Sequence, residues 1–506
     1  MEREIVGKRP TFHQNRSGSN FYRILLWLSL IIAGIWVLRS LQRGEVISPF
    51  QPTPTPTRMA ESFILEAQAY FNAGKLDDPS NKITSTPGAS ETGVIAQAEM
   101  AGAEATPVTP TPVPVINDAI EAYQAALRLD PNNALAWAEL ARIQAYSSTM
   151  LRNDAERLDR LAEALESAKK ATEQAPDESW SHAIYSFVLD WYATNPLIPG
   201  NTGEELLAEA NSEAVRAYNL DPENALALAY YAEILVDQQR WEQAKQYAME
   251  AVRRDPNLMD THRVMGYVHE SRGEYNSAIQ SYQSAVSINP NMTFLYVRIG
   301  RLFREGIKNA DRALEYFDRA AKINQQLGVQ NPIPYMEIAR TYTQEGQFLI
   351  ASVNAEKALS MDNANAHTYG QLGMIYRRAR NYEGANPLLK CAVTGCTAEE
   401  NELGKVPVQG LPLSGQTVAY YYVEYGTNLA FLSRENENFC SPYRDEFGDH
   451  PGAMSILRQV REVAGQWNDP FLVAIAEDSE GICRRLQGNT APQPAATPQP
   501  DSTPDM

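Results

Sequence analysis

The sequence predicts an all-α fold: an α-solenoid of antiparallel helix pairs, preceded by a single transmembrane helix. Three observations predict it. Pro222, Pro256 and Pro290 recur at a constant interval of 34 residues, each between the end of one helical pattern and the start of the next. From Met59 to Leu486, apolar and Ala residues fall at helical spacing, and no convincing run of period-2 alternation appears. Near the N-terminus, "ILLWLSLIIAGIWVL", Ile24 to Leu38, carries no charge.

That apolar run accounts for the charge distribution. The 506-residue chain has a net charge of −18. Residues 1–43 hold Arg3, Lys8, Arg9, Arg16, Arg23, Arg39 and Arg43 against Glu2 and Glu4, a balance of +5, so the rest carries −23. As a helix with its flanks, the run covers about 30 Å of hydrocarbon, with Arg23 and Arg39 reaching back to the headgroups. A cleaved signal peptide would end on small residues; here "RSLQRGEV" follows. Five basic residues precede the run, so the basic N-terminus (1–22) is expected in the cytoplasm. Residues 23–41 are then a single-pass anchor in the cell membrane, with the repeats extracytoplasmic. An acidic chain has the wrong sign for neutralising phosphates, which argues against a nucleic-acid partner.

Low-complexity stretches divide the rest. "SPFQPTPTPTR" makes residues 42–58 a stiff, extended Pro/Thr linker. Residues 488–506, ending "QPDSTPDM", have the same character and are expected as a disordered tail. A third such stretch, residues 76–114, is flanked by helical pattern on both sides and reads as a disordered insertion.

Between the clock prolines two further marks recur. A small residue sits ten after each proline: Ala232, Gly266, Gly300. Alanines precede the next proline by 12 and 5 residues: Ala244 and Ala251, then Ala278 and Ala285. Two antiparallel helices approach closely only where side chains are small, with large residues such as Tyr282 filling the gaps alongside. Proline cannot continue a helix but suits the first turn of the next.

This pattern resembles the tetratricopeptide repeats, whose 34-residue helix–turn–helix unit carries the same small and large positions. Ala339 and Gly373 continue the small position, and Ala351, Ala358, Ala385 and Ala392 the alanines. "NALAWAELARIQ" and "ELLAEANSEAVRAYNLDP" fit as well. "MAESFILEAQAYFNAGKLDD" reads as a first helix whose partner, "INDAIEAYQAALRLDP", arrives after the insertion. The resemblance covers about eight repeats over residues 59–396 and implies a right-handed superhelix. Extra residues interrupt it near "SSTMLRNDAERLD", "YATNPLIPGNTGE" and "QQLGVQNPI". Residues 397–487 read as three more helices, a degenerate ninth repeat and a C-terminal cap.

Catalytic and cofactor motifs are missing: there is no HExxH, GxxxxGK[ST], GxSxG or GxGxxG. No cofactor and no metal are expected. His262 and His269 share a helix face, which ordinary repeat packing explains better than a metal pair. "SPYRDEFGDHPG" lacks the ligand spacing of a calcium loop and reads as a solvated turn. Cys391, Cys396, Cys440 and Cys483 all fall near the C-terminus. In a segment placed outside the membrane they suggest disulfides, with Cys391–Cys396 and Cys440–Cys483 favoured among three pairings. Free thiols and a zinc site are the alternatives, the latter without CxxC spacing. Cys440 as a nucleophile has no legible base.

Functional promise lies in the groove lined by the first helices. Positions three before, one after and four after the small residue share one stripe. Along repeats four to eight this stripe holds Arg263, Arg301, Arg304, Arg340 and Arg377 against Glu233 and Glu270, with Tyr267 and Met336 adding apolar grip. Such a groove suits an extended peptide with acidic side chains or a free carboxylate. The alternative is that the arginines pair with their neighbours on a solvated face. Some members of the resembled family clamp a C-terminal dicarboxylate with Lys and Asn on the first helices; this stripe offers neither. The expected function is therefore a non-enzymatic, membrane-anchored scaffold or adaptor binding a protein or peptide partner. The second reading is an assembly or stabilising factor of an envelope complex, acting through the convex face or the C-terminal module.

Overall fold

The computed structural model describes residues 21–42, 58–77, 116–433 and 438–486. The Pro/Thr spacer, most of the insertion and the C-terminal tail lie outside the described residues. Helix α1 (Phe21–Gln42) and the chain from Met59 onward are separate units. Among the described residues no helix is long and apolar enough to cross a membrane. The span expected over 23–41 is thus not shown by the fold.

From Met59 the chain forms eight helix pairs: α2 (Ala60–Asn72) with α3 (Ala119–Leu129); α4 (Ala134–Ser148) with α5 (Asp154–Gln174); α6 (Ser179–Ala193) with α7 (Gly200–Leu220); α8 (Ala225–Asp237) with α9 (Trp241–Arg254); α10 (Met259–Ser271) with α11 (Tyr275–Ile288); α12 (Thr293–Arg301) with α13 (Ala310–Leu327); α14 (Ile333–Gln344) with α15 (Phe348–Met361); and α16 (Ala366–Arg378) with α17 (Tyr382–Val393). Each of these helices packs most heavily on its pair partner, and in pairs two to eight the short turns between them require an antiparallel run. Three helices follow: α18 (Gln416–Leu432), α19 (Ala453–Gln466) and α20 (Pro470–Leu486).

The clock prolines act in the turn, not in the first turn of the next helix. Helix α7 ends at Leu220 and α8 begins at Ala225, so Pro222 lies between them. The cap is Asn224, whose side chain accepts hydrogen bonds from the Leu226 and Ala227 amides. Asn133, Asn309 and Asn365 cap α4, α13 and α16 in the same way. Several proline carbonyls receive a side chain from six residues onward. Trp137 Nε1 donates to Pro131 O (2.9 Å), His182 Nε2 lies 2.8 Å from Pro176 O, His262 Nε2 2.8 Å from Pro256 O, and Tyr296 OH donates to Pro290 O (2.8 Å). Two of the scattered histidines are thus turn-locking groups.

The small positions hold the pairs together. A Cβ at Gly266 would lie 2.7 Å from the ring of Tyr282, one at Gly300 2.4 Å from Phe317, and one at Gly373 2.6 Å from Leu389. In each case the large side chain of the second helix occupies the space that glycine leaves on the first.

The insertion begins later than residue 76. Leu76 is buried, and the Lys75 and Leu76 carbonyls accept the Ala119 and Ile120 amides at 3.0 and 3.2 Å. Asp77 forms an ion pair with Arg160 at 2.9 Å. The two ends of the insertion therefore meet at the start of α3, and α2 and α3 pair as one repeat across it.

Three apolar cores result. The first runs through repeats 1–5 into α12, the second from α12 and α13 to α17, and the third joins α17 to α18–α20. The first gives way to the second at α12, which widens into a π-helical turn over Leu302–Gly306. "SPYRDEFGDHPG", expected as a turn, contains a two-stranded antiparallel hairpin, β1 (Tyr443–Asp445) and β2 (Gly448–His450). Cys391 is bonded to Cys396 and Cys440 to Cys483.

Candidate functional site

The arginine stripe is built as spaced, but much of it faces inward. The cause is long-range contact across the inside of the coil. Repeat 2 reaches repeat 5: Arg142 Nη1 donates to Asp260 Oδ2 at 2.9 Å, and the Tyr146 hydroxyl donates to Asp260 Oδ1. Tyr230 OH donates to the same oxygen at 2.5 Å. Repeat 1 reaches repeat 6 through Asn291 Nδ2, which donates to Ala73 O at 2.6 Å.

Arg263 is therefore buried, not exposed in a groove. Its Nη1 and Nη2 donate to the two oxygens of Glu233 at 2.6 Å each, and its Nε donates to Tyr146 OH at 3.2 Å. Its guanidinium stacks 5.3 Å from the Phe187 ring and 5.5 Å from Trp191. Asp260 is fully buried. Burial alone would push its carboxyl up, but Arg142, Arg263 and the two phenols together hold it below the usual range.

Tyr267 is also engaged: its hydroxyl donates to Asp237 Oδ1 at 2.8 Å, and Arg298 lies 5.2 Å over its ring. Asp237 neighbours Asp190 and Glu233. Burial first, and then the adjacent carboxylates, push the Asp190 carboxyl well up.

Glu337 organises the next part of the stripe. It is 1% exposed and meets Arg301 Nη2 at 2.7 Å, Arg304 Nη2 at 2.6 Å and Arg340 Nη1 at 3.0 Å. Burial opposes its ionisation, but the three guanidiniums keep the carboxyl below its ordinary range. Arg304 and Met336 are buried. Arg377 pairs with Glu424 of α18. Of the seven expected groove residues, Arg301 and Arg340 keep substantial exposure, 42% and 45% of the side chain. Arg340 opens onto a cleft of about 340 Å³ that also holds Met374, Arg378 and Tyr420. The arginines of the stripe are neighbours as the spacing implies; Glu337, which pairs with three of them, lies off the stripe.

The C-terminal module has a second polar centre that the sequence conceals. Lys390 is buried, with Nζ 2.8 Å from Glu400, 3.1 Å from Asp445 and 3.1 Å from His450 Nε2. Burial opposes its charge, yet the two carboxylates raise its pKa overall. The hairpin brings Asp445 and His450 to it, and the Cys391–Cys396 bond holds the strand pairing of Cys396 with Val408 beside it. The only visible signal was the acidic cluster itself. His269 faces Glu274 Oε2 at 2.5 Å while His262 binds its turn, so the two histidines do not converge. Among the described residues no group of His, Cys, Asp and Glu is placed to hold a metal.

A model of the tetratricopeptide repeat matches residues 264–292, which span most of α10 and α11. The Photosystem I assembly protein Ycf3 of Synechococcus sp. (strain CC9605) is 30% identical over 136 residues, covering 26% of this chain and 74% of that protein. The chain belongs to the tetratricopeptide repeat family. Anaphase-promoting complex subunit 3 of Schizosaccharomyces pombe is 25% identical over 165 residues, 33% of this chain; the match spans 24% of that subunit's length. Among solved structures, the APC/C hetero-tetramer Cut9–Hcn1 is similar over 72% of this chain and 59% of its own, at 14% identity and a TM-score of 0.46. PilF of Pseudomonas aeruginosa is similar over 50% of this chain and 98% of its own, at 19% identity and a TM-score of 0.32. Tetratricopeptide repeat proteins generally mediate protein–protein interaction or complex assembly and are typically non-catalytic.

Proposed function

We propose that this tetratricopeptide repeat protein is a non-enzymatic, membrane-anchored scaffold that binds a partner protein through the concave side of its C-terminal repeats. The observation that supports this reading is the contrast along the stripe. Arg142 with Asp260 and Arg263 with Glu233 are paired and buried inside repeats 2, 4 and 5, whereas the half-exposed Arg340 opens onto a cleft beside Met374 and Tyr420. A preformed surface of this kind binds with little ordering cost. The anchor is read from the sequence: an uncharged Ile24–Leu38 run with five basic residues before it, which sets the N-terminus in the cytoplasm and the repeats outside the cell membrane.

A second reading, an assembly or stabilising factor working through its convex face, is favoured by one observation. Leu349 and Val353 of α15 are 80% and 58% exposed and share a helix face. Photocrosslinking in intact cells separates the two. A photoreactive residue at Gln344, in the Arg340 cleft, should capture one dominant partner, lost on Arg340→Glu. Capture from Leu349 alone would transfer the function to the convex face and end the first reading.

A further inference from the structure

Three segments break the 34-residue interval: residues 147–159, 192–204 and 325–333. They are far apart in the chain, yet they meet. Asn331 Nδ2 of the third donates to Thr149 O of the first at 3.0 Å, and Asn195 Nδ2 of the second donates to Asp154 O at 3.3 Å. Together they wall one cleft of about 550 Å³, supplying Thr149 and Arg157, Asn195 and Pro196, and Asn331 and Ile333. Repeat 6 completes it with Phe294, Arg298 and Arg301.

The charge in this cleft is unbalanced. Three guanidiniums line it, Arg157, Arg298 and Arg301, against the single carboxylate of Asp154. Arg298 uses Nε on Glu270 (2.7 Å), and Arg301 uses Nε and Nη2 on one oxygen of Glu337 (3.0 and 2.7 Å), so the rest of each fork is directed elsewhere. Arg157 donates from Nη1 to Asp154 Oδ1 (3.0 Å) and from Nη2 to Leu151 O (3.2 Å). Its Nε is buried without a hydrogen-bond partner. An unsatisfied buried donor beside a second cation is costly in a native fold unless a ligand or an ordered water answers it. Burial, and then Arg301, hold the Arg157 guanidinium below its ordinary pKa.

We propose that this insertion-built cleft is a binding site for a carboxylate, presented by the acidic end of a partner peptide. The polar wall supplies guanidinium forks suited to a carboxylate. Trp191 and Phe294 add apolar lining, and the volume of about 550 Å³ accommodates several residues rather than a bare oxyanion. The inference rests on the protein-binding reading and adds a site for it. That site shares Arg301 with the regular stripe but not Tyr267 or Arg340; the insertions, which the repeat pattern does not require, supply Thr149, Arg157, Asn195, Pro196, Asn331 and Ile333.

The test is calorimetry of the full chain at low salt. The probes are a hexapeptide ending in two glutamates with a free C-terminus, its Gln-substituted and amidated counterpart, and succinate. The acidic peptide should bind about tenfold more tightly than its neutral counterpart, and Arg157→Gln should remove about that factor. Asp154→Asn, which deletes the competing carboxylate, should tighten binding, a change that a damaged fold would not produce. Binding of succinate as tight as the peptide would overturn the peptide assignment. Absence of binding, or binding indifferent to both substitutions, would overturn the site. If the Gln344 crosslink still captures its partner in that case, the cleft is refuted while the protein-binding reading stands.

Discussion

Repeats 1–6 and the region from repeat 7 to α20 are secured by different means. In a simple solenoid each repeat touches only its neighbours, and stability is a sum of local terms. Repeats 1–6 depart from this: Arg142 and Asp260 are 118 positions apart and share a buried ion pair, and Asn291 reaches back 218 positions to Ala73. The C-terminal region packs helix against successive helix and adds two disulfides and the Lys390 centre. A coil that touches itself gains cooperativity from contacts far apart in the chain. A region that does not is held by crosslinks instead.

The largest expected effect breaks the first region. Asp260→Ala strands Arg142 and two phenols in a fully buried site, so it should cost about 3–5 kcal/mol. Urea unfolding followed by tryptophan fluorescence would measure this, since Trp191 sits against the network. A loss below about 1 kcal/mol would mean the network adds little beyond neighbour packing.

Next comes the second region. Cys440→Ser with Cys483→Ser should cost about 2–4 kcal/mol, because the bond closes a 43-residue separation. The loss should stay local. Limited proteolysis should cut within α18–α20 while repeats 1–6 keep their protection. Removing Cys391–Cys396, which closes only five residues, should cost less. Equal costs would show that the crosslinks act through something other than chain restriction.

A smaller effect sharpens the boundary between the two. Gly300→Ala sets a Cβ 2.4 Å from the Phe317 ring at the junction of the first and second cores. Overpacking costs about 1–3 kcal/mol, against a helix-propensity gain of about 1 kcal/mol, so the net change should be destabilising. Thermal melts of the variant should show lower stability; a rise would mean the helices separate freely there.

The smallest effect is a pH dependence confined to the first region. The folded pKa of Asp190 is raised by burial and by neighbouring carboxylates. Its contribution is therefore fully present below the unfolded pKa and lost as pH rises through the folded one. Stability against urea should decline with rising pH above the ordinary carboxylate range. Asp190→Asn, which removes the titrating group, should flatten that decline. A decline unchanged in the variant would assign the effect to other groups.

The repeat architecture was legible because its determinants are local and periodic. Ala244, Gly266 and Tyr282 state which helix meets which. The site was less legible because its determinants are not periodic. Arg263, Arg301 and Arg304 were visible as a stripe. That Asp260 and Tyr146 close over Arg263, and that Glu337 collects Arg301, Arg304 and Arg340, depends on contacts across the coil that no spacing rule encodes. The insertions at 147–159 and 325–333 were visible as departures, but their meeting at Thr149 and Asn331 was not. The carbonyl-capping residues six beyond the prolines, Trp137, His182, His262 and Tyr296, were readable in principle as a recurring polar or aromatic position.

The most direct test of the self-contacting coil is a double-mutant cycle on Arg142→Gln and Asp260→Asn, with unfolding free energies measured in urea. These residues belong to repeats 2 and 5 and have no sequence proximity. A coupling energy of about 1–3 kcal/mol between them is the expected result. Additivity within about 0.3–0.5 kcal/mol would contradict it and return repeats 1–6 to a simple stack with an open interior.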